Sequence, residues 1–248
     1  KEIAWNKGGI IKKSRPTFLY PQKEEVYKEL KEIADENNSE IYKFDFSEIN
    51  IINEDINGNE FSFREYKNVR TSLIGRHQAY NASLALSILS YLKKFFVLDD
   101  EKIRQGIYKT TNPARLEIIS DKPLILMDGS HNEESINSLI SNLDKFNYEK
   151  LILGFSILRD KEREKIIKKL AKYADTVVLT EIDSDRKSDI NDLYNIFKSY
   201  TDKKIYMETD IEKAVNKTLE LSSKKDLILW CGSLYLMKDI RRFLKNHK

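Results

Sequence analysis

Residues 124–133 read Leu-Ile-Leu-Met-Asp-Gly-Ser-His-Asn-Glu. An apolar run that ends in an acid and a glycine is typical of a buried parallel strand entering a turn. The Ser-His-Asn-Glu segment then opens a helical pattern. Ligands of open α/β sheets bind beyond the carboxyl ends of the strands. The stretch therefore predicts that Asp128 and His131 lie at a ligand-binding edge of a parallel sheet.

The same alternation of strand and helix continues along the second half of the chain. The predicted strands are 115–120, 124–128, 150–155, 176–180, 204–207 and 226–231, and the predicted helices are 132–146, 160–174, 189–200, 210–222 and 235–246. Continuous apolar strands between amphipathic helices predict a parallel sheet covered on both faces, with one antiparallel element. We therefore predict an α/β fold in which residues 108–248 form a complete Rossmann-like domain.

Residues 1–107 follow a different pattern, that of part of a second α/β domain. Asn57-Gly58 between two alternating stretches of 48–75 is a strong hairpin signal. The other predicted elements are helices at 23–36, 77–94 and 99–109 and a strand at 41–46. The boundary between the two domains is placed after residue 107, in the segment from Gly106 to Asn112.

The composition narrows the class of protein. Lys and Arg number 43 and Asp and Glu 40, so the net charge of +3 gives no reason to expect a nucleic-acid partner. Cys231 is the single cysteine, which excludes an intrachain disulfide, suits a reducing cytoplasm and is interpreted as core packing rather than a nucleophile. No apolar run approaches the roughly 20 residues of a membrane span. We predict a cytoplasmic protein without a membrane partner.

Several polar residues of the second half have both a functional and a structural interpretation. Asp128 could accept from a ribose hydroxyl and His131 could bind a phosphate at a helix N-terminus, or both could simply cap that helix. Arg115 opens a strand, where its guanidinium could fork onto phosphate oxygens or remain a surface charge. Ser233 follows a strand and a glycine. It could bind a substrate carboxylate or act as the N-cap of the next helix.

The first half offers fewer signals. Gln78 and Asn81 are three residues apart and share a helical face, where two amides could read a purine edge or bond to a neighbouring helix. Lys7 precedes a Gly-Gly turn and carries no signal by itself. The sequence contains no Ser-His-Asp hydrolase elbow and, with three histidines and one cysteine, no Cys/His metal cluster.

Six short stretches, in this order and at these separations, together resemble the folylpolyglutamate synthase/dihydrofolate synthase family of the Mur ligase superfamily. They are residues 3–12, 75–82, 113–117, 128–132, 160–162 and 232–236. The resemblance implies an ATP-dependent acid–amino-acid ligase that uses Mg²⁺. Such an enzyme joins L-glutamate to folate or dihydropteroate through an acyl phosphate, and residues 108–248 would be its glutamate-ligase domain.

The resemblance also implies residues that bind the nucleotide. Asn81 would contact the adenine side of ATP, with Gln78 supporting it. Arg115 would hold the phosphates and Asp128 the ribose. These four positions are therefore expected to bind ATP.

Three further roles follow from the same resemblance. His131 would be a catalytic residue near the γ-phosphate or the acyl phosphate, and Ser233 would touch the incoming glutamate. Lys7 matches a lysine that is carbamylated by CO₂ in the family. A carbamate carries oxygen atoms of the kind that Mg²⁺ prefers, so Lys7 would be both a catalytic group and a metal ligand.

The chain departs from the family pattern in three stretches. Asn6-Lys7-Gly8-Gly9 stands where the family usually has Glu-Lys-Ala-Gly, Ala114 where it has Gly, and Ser130 where it has Ala. The last two changes are mild. Asn6 removes a negative charge beside the expected carbamate, which weakens the case for that modification.

The front of the family pattern is absent from this sequence. In the family a P-loop, a folate-binding segment and a metal-binding histidine precede the stretch around Lys7, yet no Gly-x-x-x-x-Gly-Lys-Ser/Thr occurs here and the chain starts at Lys1. We therefore expect a fragment whose residues 1–107 are the C-terminal part of the central ATPase domain. We expect it to be monomeric and inactive alone.

Two alternatives remain open from the sequence. The chain could come from another Mur-type amide ligase with a different acceptor. It could also be a non-catalytic paralogue that binds a nucleotide or a partner protein, in which case the missing loop would be genuine.

Overall fold

The computed structural model describes residues 2–246, which divide into two compact units between Thr111 and Asn112. We call them unit 1 and unit 2. The boundary predicted after residue 107, in the segment from Gly106 to Asn112, lies close to this division, near the end of a helix, Asp100–Lys109. The division follows the end of this helix, which packs on a strand of unit 1.

Unit 1 contains a helix-flanked strand pair and a separate antiparallel sheet. Its elements are α1 (Glu2–Gly8), β1 (Thr17–Leu19), α2 (Glu24–Glu36), β2 (Ile41–Lys43), β3 (Ile49–Asp55), β4 (Gly58–Phe63), β5 (Tyr66–Thr71), α3 (Arg76–Leu92) and α4 (Asp100–Lys109). β1 and β2 pair in parallel, whereas β3, β4 and β5 form a three-stranded antiparallel sheet. The predicted hairpin at Asn57-Gly58 is confirmed.

Among the described residues of unit 1, two separate small cores are present. Phe61, Val69 and Leu86 belong to the core between the antiparallel sheet and α3, and α2 buries Leu30 and Ala34 in a separate cluster. Gly58 has a φ of 121°, and a Cβ there would lie 1.9 Å from the Thr71 carbonyl oxygen. The hairpin therefore requires a glycine at this position.

Unit 2 is an α/β layered domain. Its elements are β6 (Glu117–Asp121), β7 (Leu124–Asp128), α5 (Glu133–Leu143), β8 (Leu151–Phe155), α6 (Arg163–Leu170), β9 (Thr176–Leu179), α7 (Ile190–Lys198), β10 (Lys204–Met207), α8 (Ile211–Leu221), β11 (Leu227–Cys231) and α9 (Leu234–Asn246). The six strands lie in the order β10-β9-β8-β11-β7-β6, and only β6 runs antiparallel to its neighbour. The predicted Rossmann-like fold is confirmed.

The strand order places a crevice at one edge of this sheet. The chain moves in one direction from β7 through β8 and β9 to β10, then returns to insert β11 between β8 and β7. Since parallel crossovers are right-handed, the helices of the return lie on the opposite face. The packing of α5 on α6 and of α8 on α9 agrees with this arrangement. The carboxyl ends of β7 and β11 therefore flank a switch point, where α/β sheets bind ligands.

The centre of the sheet is closely packed. Trp230 of β11 is fully buried and lies opposite Gly154 of β8 in the strand register. A Cβ at Gly154 would lie 2.3 Å from the indole ring, so the glycine makes room for it. This contact fixes β11 against β8 and sets the position of the loops that follow both strands.

Candidate functional site

Asp128 ends β7 and is only 5% exposed. Its Oδ2 accepts a hydrogen bond from the Leu116 backbone N–H at 2.8 Å. Its Oδ1 accepts from the Ser130 backbone N–H at 2.8 Å and from the Ser130 hydroxyl. The carboxylate thus ties the segment before β6 to the loop after β7, while the ribose contact stays a prediction.

The segment from Ala114 to Leu116 has an unusual backbone. Ala114 and Leu116 have φ values of 58° and 46°, and each such residue costs about 1–3 kcal/mol. The Ala114 N–H donates to Glu117 Oε2 at 2.9 Å, and its carbonyl accepts from the Gly129 N–H at 2.8 Å. With Asp128 on Leu116, these bonds hold the segment in its strained shape.

Arg115 lies between the two strained residues and is partly buried. Its guanidinium makes no hydrogen bond or ion pair with any residue in the described range. Glu117, two positions further on, is engaged instead by Arg241 of α9, with Nε 2.9 Å from Oε1. Arg115 is therefore an unpaired cation on a fixed loop, a suitable seat for a phosphate or carboxylate.

His131 and Ala114 both form hydrogen bonds with Gly129. The His131 Nδ1 lies 2.7 Å from the Gly129 carbonyl oxygen, and because a carbonyl only accepts, Nδ1 carries the proton. In the neutral ring Nε2 is then a free acceptor, which has no partner in the part of the chain that is described. Asn132, rather than His131, caps α5 by accepting from the Ser135 N–H at 2.8 Å.

Ser233 follows β11 and is 3% exposed. Its hydroxyl accepts from the Tyr235 N–H at 3.2 Å, so it caps the N-terminus of α9. The next residue, Leu234, packs so closely on Gly129 that a Cβ there would lie 2.2 Å from it. The ends of β7 and β11 are therefore in contact, while the glutamate contact of Ser233 stays a prediction.

Cys231 ends β11 within the same region. It is fully buried, and this burial, with the Asp128 charge adding, raises the pKa of its thiol well above the usual range. A thiol that stays protonated is a poor nucleophile. The interpretation of Cys231 as core packing is confirmed.

The loops after β8 and β9 add an ion pair that the sequence did not indicate. Arg186 Nη2 lies 2.6 Å from Asp160 Oδ2. This guanidinium holds the pKa of Asp160 below its usual range. Asp160 belongs to a stretch on which the family resemblance depends, but no motif in the printed sequence singled out its partner. A backbone bridge between Leu158 and Lys187 joins the same two loops.

In unit 1, the Gln78 and Asn81 side chains are hydrogen-bonded to each other near the start of α3. Gln78 is 3% exposed, donates from Nε2 to His77 Nε2 at 3.0 Å, and accepts at Oε1 from Asn81 Nδ2 at 3.2 Å. Asn81 itself is exposed. The buried amide therefore orients the exposed one, as a supporting residue would.

Lys7 lies in the last turn of α1 and is exposed. Its amine makes no hydrogen bond or ion pair with the residues that the structure describes. Within residues 2–246, no group of three or more His, Cys, Asp or Glu is arranged to hold a metal ion. In the same range no helix is long and apolar enough to cross a membrane.

The predicted residues thus fall into separate groups. In unit 2, Asp128, His131, Ser233 and the loop of Arg115 all lie around Gly129. In unit 1, Gln78 and Asn81 are joined to each other, and Lys7 lies on a different helix. The residues missed from the sequence, Glu117 and Arg241, connect the Arg115 loop to α9.

Comparisons with known proteins show which families this chain resembles. Residues 114–234 match the family model described as Mur ligase, glutamate ligase domain. The dihydrofolate synthase/folylpolyglutamate synthase of Bacillus subtilis is 31% identical over 99% of this chain and 58% of its own length. This match covers both units.

Two solved structures extend the likeness. The folylpolyglutamate synthase of Thermotoga maritima has a TM-score of 0.80 and 29% identity, covering 100% of this chain and 58% of that one. A bifunctional folylpolyglutamate synthase/dihydrofolate synthase of Yersinia pestis, complexed with AMPPNP and a Mn ion, has a TM-score of 0.79 and 20% identity, covering 98% and 56%. At 20% identity, the Yersinia pestis structure is evidence for the fold alone.

Unit 2 therefore resembles the glutamate-ligase domain of Mur ligases, whose family model matches residues 114–234. The resemblance of the whole chain to the folylpolyglutamate synthase/dihydrofolate synthase family is confirmed. The chain spans 58% of the length of its Bacillus subtilis relative.

Proposed function

We propose that this chain is part of an ATP-dependent ligase that adds L-glutamate to folate or dihydropteroate. The observation that carries the proposal is the cluster around Gly129, at the switch point of unit 2. There the loop that carries the unpaired Arg115, the His131 ring and the start of α9 all contact Gly129. The likeness to the Bacillus subtilis enzyme supports the substrate class.

The proposed reaction has two steps. The substrate carboxylate attacks the γ-phosphate of ATP, which gives an acyl phosphate and ADP. The amine of glutamate then attacks the acyl carbon, and inorganic phosphate leaves as the amide forms. Both steps concentrate negative charge on phosphoryl oxygens, which fixed cations and donors stabilise.

The residues of unit 2 suit parts of this reaction. Arg115 would hold phosphate oxygens, because its guanidinium is free and its loop is fixed from three sides. His131 would act at the phosphoryl group through Nε2, which the Nδ1 bond to Gly129 orients. Asp128 would shape the ribose site and hold the Arg115 loop. Ser233 would meet glutamate at the α9 N-terminus.

In unit 1, Asn81 would contact the adenine of ATP, with its amide oriented by Gln78. We propose that unit 1 is the C-terminal part of an ATPase domain. A two-stranded parallel pair such as β1 with β2 is not stable by itself, since parallel sheets are normally larger and covered on both faces. Further strands from the same domain would complete it.

The next question is which residues of this chain could bind magnesium. The residues described here contain no ready carboxylate or histidine cluster for it, so no step is assigned to a metal in this chain. Lys7, if carbamylated, would contribute one oxygen-bearing ligand and need others from elsewhere. Mass spectrometry of the native protein, for the mass of one bound CO₂ on the peptide containing Lys7, tests this directly.

The decisive experiment expresses this chain together with the coding sequence that precedes it. The longer protein is assayed with folate or dihydropteroate, glutamate and Mg-ATP for ADP and the new amide. His131→Asn is expected to reduce kcat by roughly 10²–10⁴-fold, while Lys238→Gln, a surface control on α9, leaves it unchanged. ATP binding without any amide product would instead favour the non-catalytic paralogue.

The same assay on the 248-residue chain tests whether it is inactive alone. We expect no amide product, because the relatives carry much more sequence. Gel filtration is expected to show a monomer, and a fusion to a fluorescent protein is expected to be cytoplasmic. Amide formation by the short chain would overturn the proposed dependence on a missing ATPase part.

A further inference from the structure

We propose that the Glu117–Arg241 ion pair is a positioning device that keeps Arg115 aimed and unneutralised for anion binding. The identity of the anion, an ATP phosphate, rests on the proposed function. The positioning itself rests on geometry. Neither residue touches the reacting groups in this proposal, and each acts through the loop.

Glu117 is a bridge with two separate bonds. Its Oε2 accepts from the Ala114 N–H and its Oε1 accepts from Arg241 Nε, both at 2.9 Å. The Glu117 side chain is 20% exposed and that of Arg241 34%. A single carboxylate therefore fastens the strained turn at Ala114 to the middle of α9.

The bridge also determines the charge around Arg115. Glu117 is two residues from Arg115, near enough in sequence for its carboxylate to turn toward the guanidinium. Because the Glu117 carboxylate is paired with Arg241, it does not neutralise the positive charge of Arg115. That charge remains able to attract an external anion. Without Arg241, we expect Glu117 to release Ala114 and to pair with Arg115 instead.

The first test uses the longer enzyme and the KM for ATP. Arg241→Gln is expected to raise this KM on the order of tenfold, as loss of a supporting contact commonly does, with a smaller change in kcat. The control is Arg242→Gln, since Arg242 is on the same helix but pairs with Asp239 at 3.6 Å and not with Glu117. Equal KM values for Arg241→Gln and wild type would overturn the proposal.

A charge swap separates positioning from plain stabilisation. The double variant Glu117→Arg with Arg241→Glu restores an ion pair, so the unfolding midpoint should recover. An arginine at 117 has no acceptor for the Ala114 N–H, so the KM for ATP should stay high. Recovery of both quantities would mean that the pair only stabilises the fold, and the proposal would be wrong.

Hydrogen exchange on the 248-residue chain tests the loop without any ligand. In Arg241→Gln, the Ala114 amide should exchange at least tenfold faster, while the Leu229 amide in β11 keeps its protection. Unchanged exchange at Ala114 would overturn the proposal. If the longer wild-type enzyme bound no ATP, the proposed function would fail, and exchange at Ala114 would still decide whether the bridge holds the loop.

Discussion

Unit 2 and unit 1 present their candidate residues in opposite ways. In unit 2, Asp128 and Ser233 are nearly buried and bonded to backbone groups at the edge of a six-stranded sheet. In unit 1, Lys7 and Asn81 are exposed, and the strands are divided between a pair and a three-stranded sheet. The comparison shows that the large sheet of unit 2 holds its candidate residues in place through bonds within the same unit. The exposed candidate residues of unit 1 need contacts with further groups to be held in place.

The largest effect is expected at Gly232, between β11 and Ser233. Its φ is 112°, and a Cβ would lie 2.1 Å from the Ser156 carbonyl oxygen. Gly232→Ala should lower the free energy of unfolding by about 3 kcal/mol or more, since strain and overpacking add. Urea unfolding followed by tryptophan fluorescence measures this, because Trp230 lies in the adjoining strand.

Gly58→Ala is the matched change in unit 1. It meets a similar clash at the first residue of β4, with Thr71, but the three-stranded sheet of unit 1 can shift more readily than the closely packed centre of the six-stranded sheet. We expect a smaller loss of stability than for Gly232→Ala. An equal or larger loss would break the contrast between a rigid unit 2 and a more adaptable unit 1.

The next effect is expected at Asp128. Asp128→Ala leaves the Leu116 and Ser130 N–H groups without their acceptor, which should cost about 2–3 kcal/mol. Gln78→Ala in unit 1 removes a buried amide and should cost only about 1 kcal/mol. Chemical denaturation of both variants ranks them. A larger loss of stability in Gln78→Ala than in Asp128→Ala would show that unit 1 holds its site as firmly as unit 2.

A smaller effect of opposite sign is expected at Gly106 in α4. A Cβ there would meet nothing within 4 Å, and glycine inside a helix is less stable than alanine. Gly106→Ala should therefore stabilise unit 1 by about 0.5–1 kcal/mol. Thermal melting checks the sign, and a lower midpoint would contradict the open space around Gly106.

The smallest effect concerns the Asp160–Arg186 pair of unit 2. Arg186 lowers the pKa of Asp160, so the pair stabilises the fold above the ordinary pKa of an aspartate. That contribution is lost as the pH falls through the lowered pKa. In Arg186→Gln, NMR titration should find the pKa of Asp160 raised toward its usual value.

Asp189 is the internal control for this titration. Its pKa is lowered by the Asn191 backbone N–H rather than by an arginine, so Arg186→Gln should leave it unchanged. A shift at both aspartates would point to a general change in the loop after β9. A shift at neither would mean that the ion pair is weak in solution.

The sequence was most informative where hydrophobic pattern alone decides the structure. β7, β8 and β11 are apolar runs buried within the sheet, and their positions were predicted closely. In unit 1 the pattern was less complete, because residues 48–75 contain three strands where one hairpin was expected. The second turn has Arg64 at a φ of 50°, and an arginine gives no turn signal.

The site was predictable in its residues but not in its connections. Asp128 and His131 follow a strand of clear pattern, so their location at the sheet edge could be inferred. The left-handed backbone at Ala114 and Leu116 could not, because these residue types normally avoid it. Nor could the bridge from Glu117 to Arg241, whose partners are 124 residues apart in the chain.

The position of β11 has a consequence for how unit 2 reaches its folded state. β11 is the last strand of unit 2 in the chain but lies in the interior of the sheet, between β8 and β7. During synthesis, β7 and β8 emerge long before the strand that separates them, so the nascent sheet has a gap at its centre. Its two halves stay unjoined until the segment Leu227–Cys231 leaves the ribosome, and exposed strand edges at that stage invite chaperone binding.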